Sequence, residues 1–414
     1  MELSIIAIGD ELLIGQVTDT NSGWIARNVN PLGWRVKSTR VIGDDATQIR
    51  EAIESAFSET DLVLTTGGLG PTKDDITKQT LMEIFGGEMI HDKATEANVL
   101  EVVEKRHLRI NPLTLAQADV PSSCRVIQNK VGTAPIMWFE KDGKVLISLP
   151  GVPFETETMM TQEVIPQIKQ RFCSEDSIEH RTFVVIGYAE SALAIKLEEF
   201  ENTIPDNIKL AYLPKPGIIR LRLTGTSKDG AELSRQLNAL TKSLTDVLGD
   251  AIVSYEDKPI EAIVGDELRR RGMTMATAES CTGGNIAHTV TLIAGSSDYY
   301  KGTVVSYSNE IKQNVLGVKT ETLAENGAVS EPTVREMVEG VAKVMNVDCA
   351  IATSGIAGPA GGSPEKPVGT VWMAVKVGER VETECKHFPG SRSRVIERAT
   401  MTALINLLKL LKNS

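Results

Sequence analysis

The sequence predicts an α/β protein in three parts: an N-terminal parallel-sheet domain, a small α+β domain, and a second α/β domain. Three observations carry this. Short apolar runs alternate with helix-spaced amphipathic stretches over residues 1–171 and again over 257–414, the pattern of parallel sheets with helices on both faces. Residues 172–256 instead read strand, helix, strand, strand, helix around the breaker Pro214-Lys215-Pro216-Gly217. The chain has 414 residues, enough for two to four domains at roughly 100–200 residues each.

In the first part, residues 3–8 form an apolar strand that stops at Gly9. Thr20 and Asn21 are placed to cap a helix running to about Val29. Residues 34–42 read as a strand, and Asp45 precedes the helical set Ile49, Ala52, Ile53 and Ala56. Residues 61–66 are a strand broken by Gly67-Gly68, and Asp75 is placed to cap a helix carrying Ile76, Leu81 and Ile84. The middle part offers strands at 180–186, 208–213 and 218–226, with helices at 191–200 and 229–248. It has no glycine-rich loop and no cluster of titratable groups. In the last part, Pro259 opens a helix with Ile260, Ile263, Val264 and Leu268 on one face, ending at Gly272. Strands are expected at 273–277, 303–307, 348–353 and 368–377, and a closing helix at 394–411.

Composition excludes several function classes. Lys plus Arg total 44 against 55 Asp plus Glu, a net charge of −11, which argues against broad nucleic-acid binding. No apolar run approaches the roughly 18 residues of a membrane span. The opening MELSIIAIGDELL puts acids where a signal peptide carries Lys or Arg, so a cytoplasmic location is expected. Five scattered cysteines without a C-x-x-C spacing, and five dispersed histidines, fit neither a disulfide framework nor a His-rich metal site.

Two stretches of the first part sit where an open parallel sheet binds ligands, at the carboxyl ends of strands: Gly9-Asp10-Glu11-Leu12-Leu13-Ile14-Gly15, and Thr65 to Asp75 with the core Gly67-Gly68-Leu69-Gly70-Pro71-Thr72. The glycines let backbone N–H groups approach a phosphate. Asp10, Asp74 and Asp75 supply hard oxygens for a divalent cation. A diphosphate with a bridging metal satisfies both halves. A further turn, Leu149-Pro150-Gly151-Val152-Pro153-Phe154-Glu155, adds an acid.

GDELL-x-G, TTGGLGPT-x-DD and LPGVP-x-E together resemble the molybdopterin-binding fold shared with MoaB and MoeA. More closely, they resemble the N-terminal half of the CinA competence/damage-inducible family. That resemblance implies a divalent-metal-dependent (Mg, Mn or Co) ADP-ribose pyrophosphatase activity in this half. It implies Asp10, Glu11, Asp74, Asp75 and Glu155 as metal candidates, and Gly67, Gly68, Gly70, Thr72 and Asn21 as phosphate-binding candidates. One departure stands out: Gly132-Thr133-Ala134-Pro135 is followed by Ile136 where that family has Gly, and the added Cβ is expected to narrow the pocket.

In the last part, Thr277-Ala278-Glu279-Ser280-Cys281-Thr282-Gly283-Gly284 follows a strand and opens a helix, a turn that projects a hydroxyl toward ligand. Serine needs a base, and the available one is Lys312 in Tyr307-Ser308-Asn309-Glu310-Ile311-Lys312; a desolvated lysine serves as one. From the residues alone Cys281 is a rival nucleophile, since a helix N-terminus lowers a thiol pKa. The turn from Ser354 to Gly362 is glycine-rich and suited to oxyanion or phosphate. Arg392 is suited to a bidentate phosphate contact.

TAESCTGG, YSNE-x-K, SGIAGP-x-GG and EKPVGTVW resemble the PncC family of nicotinamide mononucleotide (NMN) deamidases over nearly all of residues 257–412. That resemblance implies Ser280 as nucleophile with Lys312 and Tyr307 beside it. It implies Thr282, Gly283, Gly284, Ser354, Gly355, Gly358, Gly361, Gly362 and Arg392 as substrate contacts, and no cofactor for this half. Joined, the two halves resemble a full CinA-type chain: a dimeric enzyme of small nucleotides (NMN, ADP-ribose), without nucleic-acid or membrane partners. The alternative is a non-catalytic nucleotide- or pterin-binding adaptor linked to competence.

Overall fold

The computed structural model describes residues 1–72, 75–172 and 177–414. The chain divides into two compact units, residues 1–179 with 225–235, and residues 180–224 with 236–414. Among the described residues no helix is long and apolar enough to cross a membrane.

The first unit is built on strands β1 (Glu2–Ile8), β2 (Arg35–Ile42) and β3 (Leu62–Thr66). After them come the short β4 (Met89–His91), β5 (Asp119–Pro121) and β6 (Arg125–Ile127), then β7 (Ile136–Lys141) and β8 (Lys144–Leu149). The main sheet runs β2-β1-β3-β8-β7-β6. Its β1, β2, β3 and β8 are mutually parallel, while the hairpin β7–β8 and the edge β6 are antiparallel. Strand alternation splits the core. Leu3, Ile5, Leu62, Leu64 and Ile147 face Ile25, Val29, Met159 and Ile168. Ile6, Ile8, Val63 and Leu146 face Ile49, Ala52, Ile53 and Ala56 of the helix Ala46–Glu59. Helices therefore cover both faces, as the periodicity predicts.

Two caps differ from expectation. The helix Asn21–Val29 has Thr20 at its N-cap without a side-chain bond; Asp19 instead accepts from the Ser22 N–H at 3.0 Å. The helix predicted behind Asp75 begins at Thr77 with Ile76 as its cap residue, because Asp75 turns back to the loop before it. Asp45 does cap its helix, accepting from the Gln48 N–H at 2.9 Å.

In the middle segment, β9 (Ser177–Ile186), β10 (Ile208–Lys215), β11 (Ile218–Ser227) and β12 (Ile252–Ser254) form a sheet of order β10-β11-β9-β12, with helices Glu190–Glu201 and Gly230–Leu248 between strands. Strand β10 runs on through Pro214 and Lys215, leaving Pro216-Gly217 as the turn. Pro fits there as an edge-strand residue.

The second unit carries β13 (Met275–Glu279), β14 (Tyr300–Val305), β15 (Cys349–Gly355), β16 (Thr370–Val377) and β17 (Arg380–His387) in the order β14-β13-β15-β16-β17. The first three are parallel and the last two antiparallel. Cys349 and Ile351 of β15 point into a cluster with Leu268, Leu404, Leu407 and Leu408 from helices Ile260–Arg271 and Arg392–Lys412. Ala350 and Ala352 point the other way, to Val334, Val338 and Val341 of Glu331–Met345. Each such aliphatic side chain contributes about 1.5–3 kcal/mol on burial. Strand β17 was not foreseen. Its alternation of charged and β-branched residues belongs to an edge strand with one wet face. Strand β13 lies two residues later than predicted, which sets Ser280 directly at its carboxyl end.

Candidate active site

Ser280 follows β13, and its N–H donates to the Thr353 carbonyl of β15 at 2.9 Å. The turn then bends through Gly283 and Gly284, both at positive φ (61° and 97°), where a side chain would be strained. Lys312, on the helix Asn309–Asn314, is 1% exposed. Its Nζ lies 3.1 Å from Ser280 Oγ, 2.6 Å from the Ser306 carbonyl and 3.5 Å from the Tyr307 carbonyl. Burial holds its pKa below the ordinary lysine value, and the nearby Cys281 opposes this. Two carbonyls can take the two N–H bonds of a neutral amine, leaving its lone pair for the serine hydroxyl.

Cys281 is buried, and burial pushes its thiol up to about 12. The rival nucleophile is therefore a protonated thiol at neutral pH. Tyr307 is 63% exposed. Its hydroxyl accepts from Arg392 Nη2 at 3.1 Å, and Arg392 Nη1 donates to the Gly358 carbonyl at 2.8 Å. Tyr307 thus meets Lys312 through its carbonyl and Arg392 through its hydroxyl.

A cavity of about 210 Å³ is lined by Ser280, Cys281, Tyr307, Asn309, Lys312, Ser354, Gly355 and Arg392, among others. The structure brings six predicted residues together there: Ser280, Lys312, Tyr307, Ser354, Gly355 and Arg392. Ser354 is held by its hydroxyl's bond to the Ala328 carbonyl at 2.6 Å. The remaining predicted contacts lie off the lining. Thr282 Oγ1 is bonded to Glu279 and Thr353, both at 2.8 Å. The Gly283 N–H goes to the Ser280 carbonyl and the Gly284 N–H to Glu279. Gly358, Gly361 and Gly362 shape the neighbouring loop, where Gly362 runs against the Val368 backbone.

The reading of the sequence missed Glu279. Fully buried, it accepts from the N–H groups of Gly284 (3.0 Å), Ile286 (3.0 Å) and Ala287 (2.8 Å), and from the hydroxyls of Thr277 (3.1 Å) and Thr282 (2.8 Å). It fixes the turn that carries Ser280. An acid one residue before the serine was the available signal, as was Asn309 within YSNE-x-K.

The first unit carries a larger cleft, about 470 Å³, at the carboxyl ends of β1, β3 and β8. Gly67 lies where β1 and β3 end; a Cβ there would collide with the Ile8 carbonyl, and its φ is 108°. Several predicted phosphate donors are already engaged. The Gly67 N–H donates to the Leu149 carbonyl. Gly70 and Thr72 donate their N–H groups to Asp75 at 2.7 and 2.9 Å, and the Thr72 hydroxyl also bonds Asp75. Asn21 Nδ2 donates to Thr66 Oγ1 (2.9 Å) and the Gly151 carbonyl (2.8 Å), which leaves its oxygen, an acceptor, without a partner. Gly68 lines the cleft.

Of the metal candidates, Glu11, Asp75 and Glu155 line this cleft. Asp44, which was not foreseen, lines it too. Asp10 exchanges backbone bonds with Asp44, at 3.0 and 3.2 Å. Glu155 lines the same cleft, where Asn129 Nδ2 at 2.9 Å and Arg106 at 3.7 Å engage it. Burial raises the pKa of Glu155 against both partners. Asp74 lies outside the described residues. Among the described residues no three His, Cys, Asp or Glu are placed to hold one ion. Ile136 also departs from expectation: it is fully buried in the core of β7 with Trp138 and Ile147 and does not narrow the cleft. Gly132 is the residue against the site, since a Cβ there would collide with the Glu155 carboxylate.

Three family models match in succession: a probable molybdopterin binding domain over residues 4–170, the KH domain of damage-inducible protein CinA over 180–254, and the CinA C-terminal domain over 257–411. The chain is 41% identical to a CinA-like protein of Flavobacterium psychrophilum, across 100% of this chain and 99% of that one. It is 38% identical to a putative competence-damage inducible protein of Moorella thermoacetica, across 100% and 99%. A solved CinA superfamily protein of Enterobacter cloacae is 36% identical, covering 38% of this chain and 96% of its own, with a TM-score of 0.36. With its N-terminal molybdopterin-binding fold, its CinA-type C-terminal domain and relatives spanning its full length, the chain belongs to the CinA family.

Proposed function

We propose that the second unit hydrolyses the carboxamide of NMN to nicotinate mononucleotide and ammonia. The observation that carries this is the buried Lys312 amine 3.1 Å from Ser280 Oγ. Neutral Lys312 takes the hydroxyl proton as Ser280 Oγ bonds to the carboxamide carbon. The oxyanion forms beside the Cys281 N–H, next in chain to the nucleophile, which we assign as its donor. Collapse breaks the C–N bond, and the proton on Lys312 leaves with ammonia. Water, deprotonated by Lys312, then cleaves the acyl-serine ester, releasing the carboxylate and restoring the hydroxyl. A cavity of about 210 Å³ suits the ring and its carboxamide and is small for a whole nucleotide. The 5′-phosphate is assigned to Arg392, at the cavity edge beside exposed Tyr307. The test is ammonia release from NMN: wild type active, Ser280→Ala inactive. Equal rates overturn the proposal.

A second reaction is proposed for the first unit: metal-dependent cleavage of ADP-ribose to AMP and ribose 5-phosphate. It is supported by the cleft of about 470 Å³ and by crowded carboxylates. Burial first, then the charges of Asp10, Glu11 and Asp75, raise the pKa of Asp44, an arrangement that a cation relieves. A Mg²⁺-type ion needs only one or two protein carboxylates when substrate phosphates complete its shell. Asp44 and Asp75, with Asp10 and Glu11 adjacent, would hold it, and when bound it neutralises diphosphate charge. AMP formation with Mg²⁺, Mn²⁺ or Co²⁺, abolished by chelator, is expected; no AMP with any of the three overturns this reading.

A further inference from the structure

An anionic ligand in the first unit's cleft needs hydrogen-bond donors, and of the groups expected to give them all but Gly68 are engaged elsewhere: Asn21 with Thr66 and Gly151, Gly70 and Thr72 with Asp75, Gly67 with Leu149. Gln117 also lines this cleft. It sits on a single 3-10 turn, Ala116–Ala118, and is 3% exposed. Its Oε1 and its own carbonyl accept from Lys78 Nζ at 3.2 and 3.0 Å, and the Asp119 carbonyl accepts from the same nitrogen at 3.2 Å. An ammonium has three hydrogens and only donates. Its trident therefore fixes the amide with oxygen toward Lys78 and NH₂ away from it. Among the described residues no acceptor is bonded to that NH₂, although the side chain is almost wholly buried. That nitrogen is not fully enclosed, and Gln117 lies in the wall of the cleft, so the amide keeps a donor that a ligand in the cleft can use.

We propose that Gln117, oriented by Lys78, is a side-chain donor of this cleft that binds an oxygen of the ligand's phosphate chain. The inference rests on the diphosphate reading of the cleft but is separable from it. Lys78 is a positioning residue: it contacts Gln117 and not the ligand. The arrangement adds a donor to a cleft in which the N–H groups of Gly67 and Gly70 are already taken. The amide lies on a segment that no glycine motif marks.

The test uses the full chain, with inorganic pyrophosphate binding measured by calorimetry in Mg²⁺ and ADP-ribose kinetics measured in parallel. Gln117→Glu keeps a partner for Lys78 but replaces the donor by an anion. Gln117→Met removes the donor without adding charge. Both are expected to weaken pyrophosphate binding about 10-fold or more and to raise KM for ADP-ribose, with kcat changed less and the melting temperature retained. Lys78→Met is expected to raise KM by a smaller factor, because the freed amide rotates. Wild-type affinity and KM in a folded Gln117→Met protein overturn the inference while leaving the cleft's activity standing. Gln117-dependent pyrophosphate binding without any ADP-ribose turnover supports the inference and removes the activity reading. A wild type that binds no pyrophosphate overturns the inference.

Discussion

The Lys312 amine lies 3.1 Å from the Ser280 hydroxyl and 2.6 Å from the Ser306 carbonyl, so one nitrogen is anchored to the backbone on one side and aimed at the nucleophile on the other. Ser280→Ala and Lys312→Met are each expected to lower NMN deamidation by about 10³-fold or more. Lys312→Arg is expected to fail equally, since a guanidinium does not give up its proton near neutrality. Ammonia release at saturating NMN checks all three, and an active Lys312→Arg protein would remove the lysine from the role of base.

The pH profile follows from the direction of the Lys312 shift. Burial lowers its pKa below 10.5, so the neutral, basic form populates at a lower pH than for a free lysine. The rate should rise with pH through that lowered value and level off below 10.5. The sign for stability is the same: a lysine depressed in the folded state disfavours folding while protonated, so its penalty fades as pH rises toward the unfolded value. A rate limb rising only above 10.5 would contradict the desolvated amine.

Cys281 shares the cavity with Ser280, yet burial pushes its thiol up to about 12. Alkylation by iodoacetamide at pH 7.5, read by intact mass, should leave this thiol unmodified in the folded chain. Cys281→Ala should keep the bulk of turnover, whereas loss of turnover with Ser280→Ala still active would transfer the chemistry to sulfur.

Glu279→Gln keeps shape but presents an NH₂ to a nest of donors. Each N–H left without an acceptor costs about 1–3 kcal/mol, and the Ser280 turn loosens with it. We expect a lower urea midpoint together with lost deamidation; a variant of wild-type stability and rate would show that the turn holds itself.

Glu267 is held by Arg270 and Arg271, at 2.6 Å each. These bonds, Arg270's first, bring its carboxyl from 4.5 down to about 2, against burial. Because the folded value is the lower one, the stabilisation is present above 4.5 and is lost as pH falls toward 2. Glu267→Gln should flatten the fall in urea midpoint across that window, and an unchanged acid limb would show that the triad is inert.

How far the sequence reaches differs between the sites. Ser280 and Lys312 were legible because each sits in a motif immediately after a strand end, where a parallel sheet delivers side chains to one edge. Glu279 was not, since an acid at the end of an apolar strand run acquires its meaning only when six donors fold around it. In the first unit the glycines of the Gly67–Thr72 turn were found but their N–H directions were not. Those depend on Asp75, which reads from sequence as a helix cap and caps the preceding turn instead. Gln117 belongs to a stretch without periodic or glycine signal, Asp44 reads only as part of the turn between Gly43 and the cap residue Asp45, and the alternation of β17 carries too few of the apolar side chains that mark a strand from sequence.

The serine's turn is also stitched to a strand far along the chain: the Ser280 N–H bonds the Thr353 carbonyl, and Thr282 bonds the Thr353 hydroxyl across 71 residues. A nascent chain that has left the ribosome only as far as Lys312 carries both Ser280 and Lys312 but not the strand that holds the turn between them. The turn around Ser280 is therefore completed only when the segment ending at Gly355 has emerged, and the cavity wall only when Arg392 has followed it.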